Sequence, residues 1–252
     1  MRINLSLKTE KNSLLPFNYE YAISAWIYKT LAKADINFAT WLHDKGYQSD
    51  NSYRNFKLFT YSKIQPYKPY KVLPKKGILI ETGMAKLTLS FLIDKAMQDF
   101  VIGIFQSQVL NISTRNGRIA FEITAIELLP ELDFTSIMRF RARSPIFMSK
   151  KYATKDQALY IAPDDKDYKE LLINNLIEKA KTLNQDIPVS LTDFKALSSP
   201  KSQLLHINNI QIRAYRYDFL IIASPELLRI GYYAGFGGKN SSLGLGFCEV
   251  ID

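Results

Sequence analysis

The spacing of apolar and polar residues in the first half of the chain predicts alternating strands and helices. Alternation from Arg2 to Lys8 predicts a strand with Ile3, Leu5 and Leu7 on its buried face. Apolar residues three and four positions apart predict helices at Tyr19 to Ala34 and at Ile36 to Asp44. The later elements predicted in this half are strands at Lys57 to Ile64, Gly77 to Thr82 and Lys86 to Leu92, a helix at Asp94 to Gln106, and strands at Val109 to Thr114 and Arg118 to Leu128.

Two stretches of this half have a specific connection predicted for them. The second and third of the later strands, Gly77 to Thr82 and Lys86 to Leu92, resemble a hairpin, and Asn116-Gly117 is a strong turn signal for the last two. The segment Gln65 to Lys76 contains three prolines and four lysines, which exclude a central strand. We therefore expect it to be an exposed basic loop.

The second half begins, after the acidic and proline-containing linker Glu127 to Asp133, near Phe134. The elements predicted there are strands at Thr135 to Ser144 and Gln157 to Ala162, a helix at Asp167 to Leu183, an antiparallel pair of Leu204 to Ile212 with Tyr215 to Ala223, a helix at Pro225 to Tyr233, and a strand at Leu245 to Ile251. Each half thus follows a β-α-β-β-α-β order with additions. The prediction is an α+β fold with antiparallel sheets and two tandem ferredoxin-like domains, residues 1–129 and 134–252.

The charge balance indicates a polyanionic partner. The chain has 33 Lys and Arg against 24 Asp and Glu, a formal net charge of +9, and nucleic acid is the first candidate for such a protein. An acidic membrane surface is the second candidate, but no apolar run approaches the ~20 residues of a membrane span. Met1 leads directly into alternating residues without an apolar targeting segment, so a cytoplasmic location is expected.

Cysteine and histidine are too rare for a metal site rich in either residue. Cys248 is the single cysteine, and His43 and His206 are the two histidines. An intramolecular disulfide is excluded and a structural zinc is not expected, although carboxylates could still hold Mg²⁺. We expect chemistry without a metal or another cofactor.

The segment Gly231 to Phe247, GYYAGFGGKNSSLGLGF, holds six of the eleven glycines and is called the glycine-rich segment below. Such a density predicts backbone with positive φ angles or backbone lying close to a ligand. Its central polar residues and exposed N–H groups would suit a phosphate backbone. A flexible hairpin between two strands is the competing interpretation. Its spacing fits neither a dinucleotide-binding nor a P-loop pattern.

Other residues are candidates for binding nucleic acid. Three arginines alternate with apolar residues in the strand Thr135 to Ser144, so their side chains share one face, and a solvated surface is the alternative reading. Aromatic residues among lysines could stack on unpaired bases. The candidate RNA-binding residues are Arg139, Arg141, Arg143, Lys150, Lys151, Gly235, Gly237, Gly238, Lys239, Asn240 and Ser241, and the candidate stacking residues are Tyr61, Tyr67 and Tyr70.

Several of these motifs resemble those of the CRISPR-associated endoribonucleases that cut precursor repeat RNA, a family within the repeat-associated mysterious protein superfamily. The resemblance rests on the glycine-rich segment, Trp26-Ile27-Tyr28, TWLH at Thr40 to His43, KLFTYS at Lys57 to Ser62 and SPI at Ser144 to Ile146. It implies two ferredoxin-like domains and a glycine-rich loop that contacts RNA. It also implies metal-independent cleavage that leaves a 2′,3′-cyclic phosphate and a 5′-hydroxyl.

The resemblance places three catalytic residues in the first half. Tyr28 matches the family's tyrosine, His43 its histidine, and Lys57 the lysine that precedes the FTYS strand. Lys45 competes with Lys57 for the cationic role. Histidine is the natural proton carrier near neutral pH, and a lysine would stabilise charge developing on the phosphate. Which of Tyr28 and His43 is the base stays open.

Three functions are therefore compared. The leading hypothesis is an endoribonuclease that processes CRISPR repeat RNA into guide RNAs. The alternatives are a non-catalytic RNA-binding subunit of an effector complex and, with weaker support, a nucleotide-binding enzyme. Effector-complex subunits and a second copy of the chain are further partners that the sequence leaves open.

Overall fold

The computed structural model describes residues 1–49, 54–150, 159–185, 187, 192–207 and 210–251. Up to residue 130 the elements are β1 Arg2–Lys8, β2 Ser13–Pro16, α1 Glu20–Ala34, α2 Ile36–Asp44, β3 Phe59–Tyr61, β4 Gln65–Pro66, β5 Tyr70–Leu73, β6 Gly77–Ile80, β7 Met84–Phe91, α3 Asp94–Gln106, β8 Val109–Thr114 and β9 Gly117–Leu128. Beyond it they are β10 Ile137–Ala142, β11 Ser149–Lys150, β12 Leu159–Tyr160, α4 Tyr168–Lys181, β13 Asp193–Ala196, β14 Lys201–Ile207, β15 Ile210–Arg216, β16 Asp218–Ile222, α5 Pro225–Ala234, the 3₁₀ turn Ser241–Leu243 and β17 Cys248–Ile251.

The chain folds as a mixed α/β protein with antiparallel sheets, and its Cα positions separate into two compact units. The first unit comprises Met1–Lys45 and Tyr61–Pro130, and the second comprises Gly46–Thr60 and Glu131–Asp252. The segment Gly46–Thr60 therefore belongs with the second half of the chain, an exchange that sequence periodicity does not reveal.

The sheet of the first unit is built around β1. This strand pairs antiparallel with β7 on one side and with β9 on the other, and β8 pairs with the far edge of β9. The predicted turn at Asn116-Gly117 is confirmed, with Gly117 at a φ of 149°. The inward residues Ile3, Leu5 and Leu7 are buried, as the alternation of β1 predicts.

A separate three-stranded sheet corrects two predictions for this unit. Strand β6 pairs with β2 and β5 rather than with β7, so the predicted hairpin is wrong. Strand β5 lies within the segment predicted to be a loop. It is tolerated there because it lies at the edge of a small sheet and contains no proline. The short strand β4, Gln65–Pro66, also falls in this segment and pairs with β7.

The second unit has a four-stranded antiparallel sheet in the order β13-β16-β10-β17. Strand β10 is central, and its outward arginines alternate with the buried residues Met138, Phe140 and Ala142. The predicted pair of Leu204 to Ile212 with Tyr215 to Ala223 is wrong. The hairpin is β14 with β15, whereas β16 joins the main sheet beside β10.

An aromatic cluster fixes the start of the glycine-rich segment in the core of the second unit. The Phe236 ring lies 4.9 Å from that of Phe140 and 5.3 Å from that of Phe219, centroid to centroid. Its backbone N–H donates to the Gly246 carbonyl at 2.9 Å. A Cβ atom on Gly246 would lie 1.8 Å from the Phe236 carbonyl oxygen, and Gly246 has a φ of +72°. Only glycine permits this approach.

Within the described part of the chain, no helix has both the length and the apolar character needed to cross a membrane.

Gly246→Ala is therefore expected to lower the free energy of unfolding by at least about 2 kcal/mol, because the new methyl group meets backbone atoms and the φ angle is unfavourable for alanine. Gly238→Ala is the matched control. Its added Cβ would have its nearest neighbours at ordinary contact distances of 3.7 and 3.8 Å, so a change within about 0.5 kcal/mol is expected. Denaturant unfolding measures both variants, and equal effects would contradict the assigned role of Gly246.

Candidate functional site

The structure brings Tyr28 and His43 together in the first unit. Tyr28 projects from α1 and His43 from the last turn of α2, and their rings meet edge to face with centroids 4.9 Å apart at 85°. Helix α2 is held at its start by Asp35, whose side chain accepts a hydrogen bond from the Phe38 N–H. Asp35 is thus the single residue between the helices that carry Tyr28 and His43.

The imidazole of His43 is exposed and oriented by its neighbour. Its Nδ1 lies 2.8 Å from Oδ1 of Asp44, and 63% of its side chain is accessible. Because a carboxylate can only accept, Nδ1 carries the proton of this contact, and in the neutral ring the lone pair is on Nε2. This tautomer, assigned from the partner, lets Nε2 accept a proton from a substrate.

Lys57 belongs by its contacts to the second unit. Its side chain lies over Gly46, with Nζ 3.1 Å from the position that a Cβ of Gly46 would occupy. The competing Lys45 is the exposed C-cap residue of α2 in the first unit. The predicted strand at Lys57 to Ile64 is shorter than expected, since β3 spans Phe59–Tyr61.

The glycine-rich segment is an ordered connection from α5 to β17. The interpretation as a hairpin between two strands is therefore wrong. Its turn is closed by hydrogen bonds from the Leu243 and Gly244 N–H groups to the Asn240 and Ser241 carbonyls, and Asn240 is in the left-handed region with a φ of 64°. The hydroxyl of Thr60 donates to the Leu245 carbonyl at 3.0 Å. No role for Thr60 was evident from the sequence.

An open pocket of about 390 Å³ lies beside this segment in the second unit. Its lining includes the tip of the segment from Gly237 to Ser242 and the cations Arg54, Lys57, Lys179 and Lys239. No carboxylate is among its described lining residues. Arg54 is paired with Glu178 at 2.7 Å. The arrangement can accept an anion, and a phosphate is of suitable size and charge.

Lys179, the buried cation of this pocket, was not identified from the sequence. The residue is 2% exposed and lies on α4. Its Nζ donates to the carbonyl of Gly235 at 2.5 Å, with that of Gly237 at 3.4 Å. Desolvation by burial lowers the pKa of Lys179 to about 7. The available signal was its spacing from Leu172 and Leu176, which puts a lysine on the apolar face of the helix.

The arginine stripe predicted on β10 is exposed, but two of its members have acidic partners. Arg141 makes a bidentate pair with Asp218, and Arg143 Nε lies 2.6 Å from Glu249. These contacts raise the pKa of Arg141 further and hold that of Asp218 below its usual range. Lys150 pairs with Asp167 at 2.6 Å, and Lys151 lies outside the described residues.

The predicted stacking residues divide into buried and exposed ones. Tyr61 is 1% exposed, and its hydroxyl donates to the Glu20 carbonyl, so its assignment as a base-stacking residue is wrong. Burial raises the pKa of its hydroxyl well above the ordinary value. Tyr67 and Tyr70 are exposed.

Among the described residues no group of three or more His, Cys, Asp or Glu side chains could hold a metal ion.

Comparison with known proteins gives matches over nearly the whole chain. The family described as CRISPR-associated protein Cas6, N-terminal, matches residues 14–126, and the one described as CRISPR associated protein Cas6, C-terminal, matches residues 129–250. The CRISPR-associated endoribonuclease Cas6 1 of Methanocaldococcus jannaschii is 28% identical over 254 residues, covering 100% of this chain and 92% of the relative.

A curated relative and a solved structure from Pyrococcus furiosus are also similar. Its CRISPR-associated endoribonuclease Cas6 is 24% identical and covers 94% of this chain and 83% of the relative. The solved structure of a Cas6-related protein from the same organism superposes with a TM-score of 0.83 at 23% identity, covering 100% of this chain and 98% of that one. At this level of identity, the similarity to the solved structure shows a shared fold.

The buried lysine predicts an unusual dependence of stability on pH. The pKa of Lys179 is about 7 in the folded protein and about 10.4 in an unfolded chain. The unfolded state therefore binds more protons between these values, and stability contributed by this residue rises with pH. The free energy of unfolding of wild type minus that of Lys179→Met should increase by about 2 kcal/mol from pH 7 to pH 9.

Denaturant titrations of both proteins at the two pH values measure this difference, and subtraction removes the other titrating groups. A difference that stays constant or falls would show that the ammonium keeps its proton through pH 9.

Proposed function

We propose a function on the premise that the chain belongs to the Cas6 family of CRISPR-associated proteins, whose N- and C-terminal models together match it from residue 14 to residue 250. We infer that the protein is an endoribonuclease that cuts CRISPR repeat RNA into guide RNAs. The observation that carries the proposal is the Tyr28–His43 contact, with the His43 ring oriented by Asp44.

The cleavage requires only groups that the chain itself supplies. The 2′-oxygen of the nucleotide before the cut attacks phosphorus, the bond from phosphorus to the 5′-oxygen breaks, and a 2′,3′-cyclic phosphate and a 5′-hydroxyl result. One proton leaves the 2′-hydroxyl and one reaches the 5′-oxygen. His43 carries one of these protons and Tyr28 donates to or orients an oxygen, while Lys57 stabilises charge on the phosphate oxygens.

The strand order supports tandem ferredoxin-like domains. In the second unit, β10-α4-β13-β16-α5-β17 is a β-α-β-β-α-β order, and the sheet order β13-β16-β10-β17 places the first strand between the third and the fourth. In the first unit β1 likewise lies between β7 and β9. We propose domains at residues 1–129 and 134–252, with Gly46–Thr60 packing with the second.

RNA binding is assigned to the second unit. Arg54 and the segment Gly237 to Ser242, which includes Lys239, would contact the phosphate backbone. The exposed arginines of β10 extend the basic surface, although an RNA phosphate would have to replace Asp218 beside Arg141 and Glu249 beside Arg143. Chemistry is thus assigned to Tyr28, His43 and Lys57, and backbone binding to the glycine-rich segment.

The substrate assay tests the reaction itself. Labelled repeat RNA incubated with the protein in EDTA should give discrete products with cyclic phosphate ends. The same RNA with a single 2′-deoxy nucleotide at the mapped cleavage position should bind equally well and stay intact, because the attacking oxygen is missing. Efficient cutting of the deoxy substrate would refute the mechanism.

Two other results of this assay would replace the proposal. Cleavage that stops in EDTA and resumes with Mg²⁺ would indicate a metal-dependent nuclease. A stable complex with intact all-ribose RNA would favour the alternative, a non-catalytic RNA-binding subunit.

His43→Ala tests the catalytic assignment. Loss of a positioned proton carrier should slow single-turnover cleavage by at least about tenfold, and up to about 10⁴-fold, while RNA affinity stays within about twofold. Lys29→Ala, an exposed substitution on α1 next to Tyr28, is the control and should cut at the wild-type rate.

Comparison of two lysine variants in the same assay decides the cationic role. Lys57→Ala should be slower than Lys45→Ala, and the opposite order would transfer the role to Lys45. Turnover unchanged by His43→Ala would remove His43 from the site.

A further inference from the structure

Lys179 combines burial with a set of acceptors that is unusual for a lysine. The side chain is 2% exposed, and a buried ammonium is costly unless it is paired and hydrogen-bonded. Among the described residues it has no carboxylate partner. Its acceptors are the main-chain carbonyls of Gly235 and Gly237. The ammonium therefore donates hydrogen bonds to the glycine-rich segment, which an apolar side chain could not do.

The two carbonyls lie where the segment leaves α5. Gly235 is the C-cap residue of that helix, with a φ of 86°, and Gly237 has a φ of 112°. Carbonyls at a helix C-terminus lack intrahelical partners and carry partial negative charge. A cation is favourable at the Gly235 carbonyl on both grounds, whereas Gly237 lies two residues beyond the cap. Lys179 therefore ties α4 to the point at which the helix becomes the loop.

The ammonium of Lys179 also lines the pocket of about 390 Å³ beside the glycine-rich segment. Lys179 lines it together with Arg54, Lys57 and Lys239, and its Nζ lies 6.0 Å from the centroid of the Phe56 ring. The ammonium thus binds the start of the loop at Gly235 and Gly237, while the residues from Gly237 to Ser242 line the pocket. A shift of the start of the loop would therefore shift the residues that line the pocket.

We propose that Lys179 is a positioning residue: its ammonium holds the Gly235 and Gly237 carbonyls, and thereby keeps Lys239 to Ser242 in the arrangement that takes an RNA phosphate. The ligand named here rests on the proposed function. Removal of the ammonium leaves a buried carbonyl without its donor, which is unfavourable, and the loop is therefore expected to move out of its position.

Lys179→Met removes the ammonium and keeps the length of the side chain. The dissociation constant for repeat RNA made uncleavable by a 2′-deoxy nucleotide should rise at least about tenfold, the equivalent of about 1.4 kcal/mol. The cleavage rate constant at saturating all-ribose RNA should stay within about threefold of wild type, because the catalytic residues are unchanged. Lys181→Met, the exposed last residue of the same helix, is the matched control with affinity within about twofold.

A double-mutant cycle separates positioning from direct contact. Lys239→Ala with Asn240→Ala removes the polar tip of the loop, and its effect is measured in wild type and in Lys179→Met. If Lys179 acts through the loop, the combined loss will be clearly smaller than the product of the separate losses. If the separate losses of RNA affinity multiply in the combined variant, the proposal is overturned. Wild-type affinity in Lys179→Met would also overturn it, and so would slower cleavage at unchanged affinity.

Hydrogen exchange without RNA tests the proposal independently of the function. In Lys179→Met, exchange should accelerate at the hydrogen-bonded amides of Phe236, Gly238 and Leu243 to Gly246, while amides of β10 and β16 keep their protection. If the methionine variant does not fold, Lys179→Gln, which keeps one neutral donor, takes its place. Unchanged exchange in the loop would overturn the proposal. Failure of wild type to bind repeat RNA would reject the proposed function and leave the exchange result standing.

Discussion

The contact between Phe236 and Gly246 is the constraint on which the second unit depends. Phe236 is fixed by the rings of Phe140 and Phe219, which come from two neighbouring strands of the sheet. Its main chain then meets that of Gly246 at a distance that leaves no room for a Cβ atom. The ten residues from Phe236 to Leu245 must therefore begin and end at one point of the core. This closure brings the two ends of the loop together and leaves the polar tip at the surface.

The proposed assignment of catalysis to the first unit and of RNA binding to the second follows from the kinds of residue that each presents. The first unit presents a tyrosine and a histidine on consecutive helices, which are groups that move protons. The second presents lysines, an arginine and a turn of backbone around a pocket without carboxylates among its described lining residues, which are groups that hold phosphates. Lys57 is the exception, since it is assigned to chemistry and yet lines the pocket of the second unit.

Local pattern was sufficient for much of the fold and insufficient for non-local pairing. The helix α3 has the predicted bounds, and β1 and the β8-β9 turn follow directly from alternation and from Asn116-Gly117. Strand β6 pairs with β2, far along the chain, and β16 with β10, and neither partner is encoded by spacing. Tyr28 and His43 were found through resemblance, because one tyrosine among fifteen carries no signal of its own. Lys179 was not identified from the sequence, because its burial depends on its contact with the glycine-rich segment.

The two basic surfaces of the second unit differ in what binding an anion would cost. On β10, a phosphate must compete with Asp218 for Arg141 and with Glu249 for Arg143. Such exposed ion pairs contribute about 0–1 kcal/mol each. A phosphate can therefore replace the carboxylate readily, but the new ion pair also contributes little to binding. In the pocket, no carboxylate is among the described lining residues, so a phosphate that contacts Lys239 and the neighbouring turn has no lining carboxylate to displace. The arginine stripe therefore suits extended contact with the RNA backbone, whereas the pocket suits one phosphate held in a defined place.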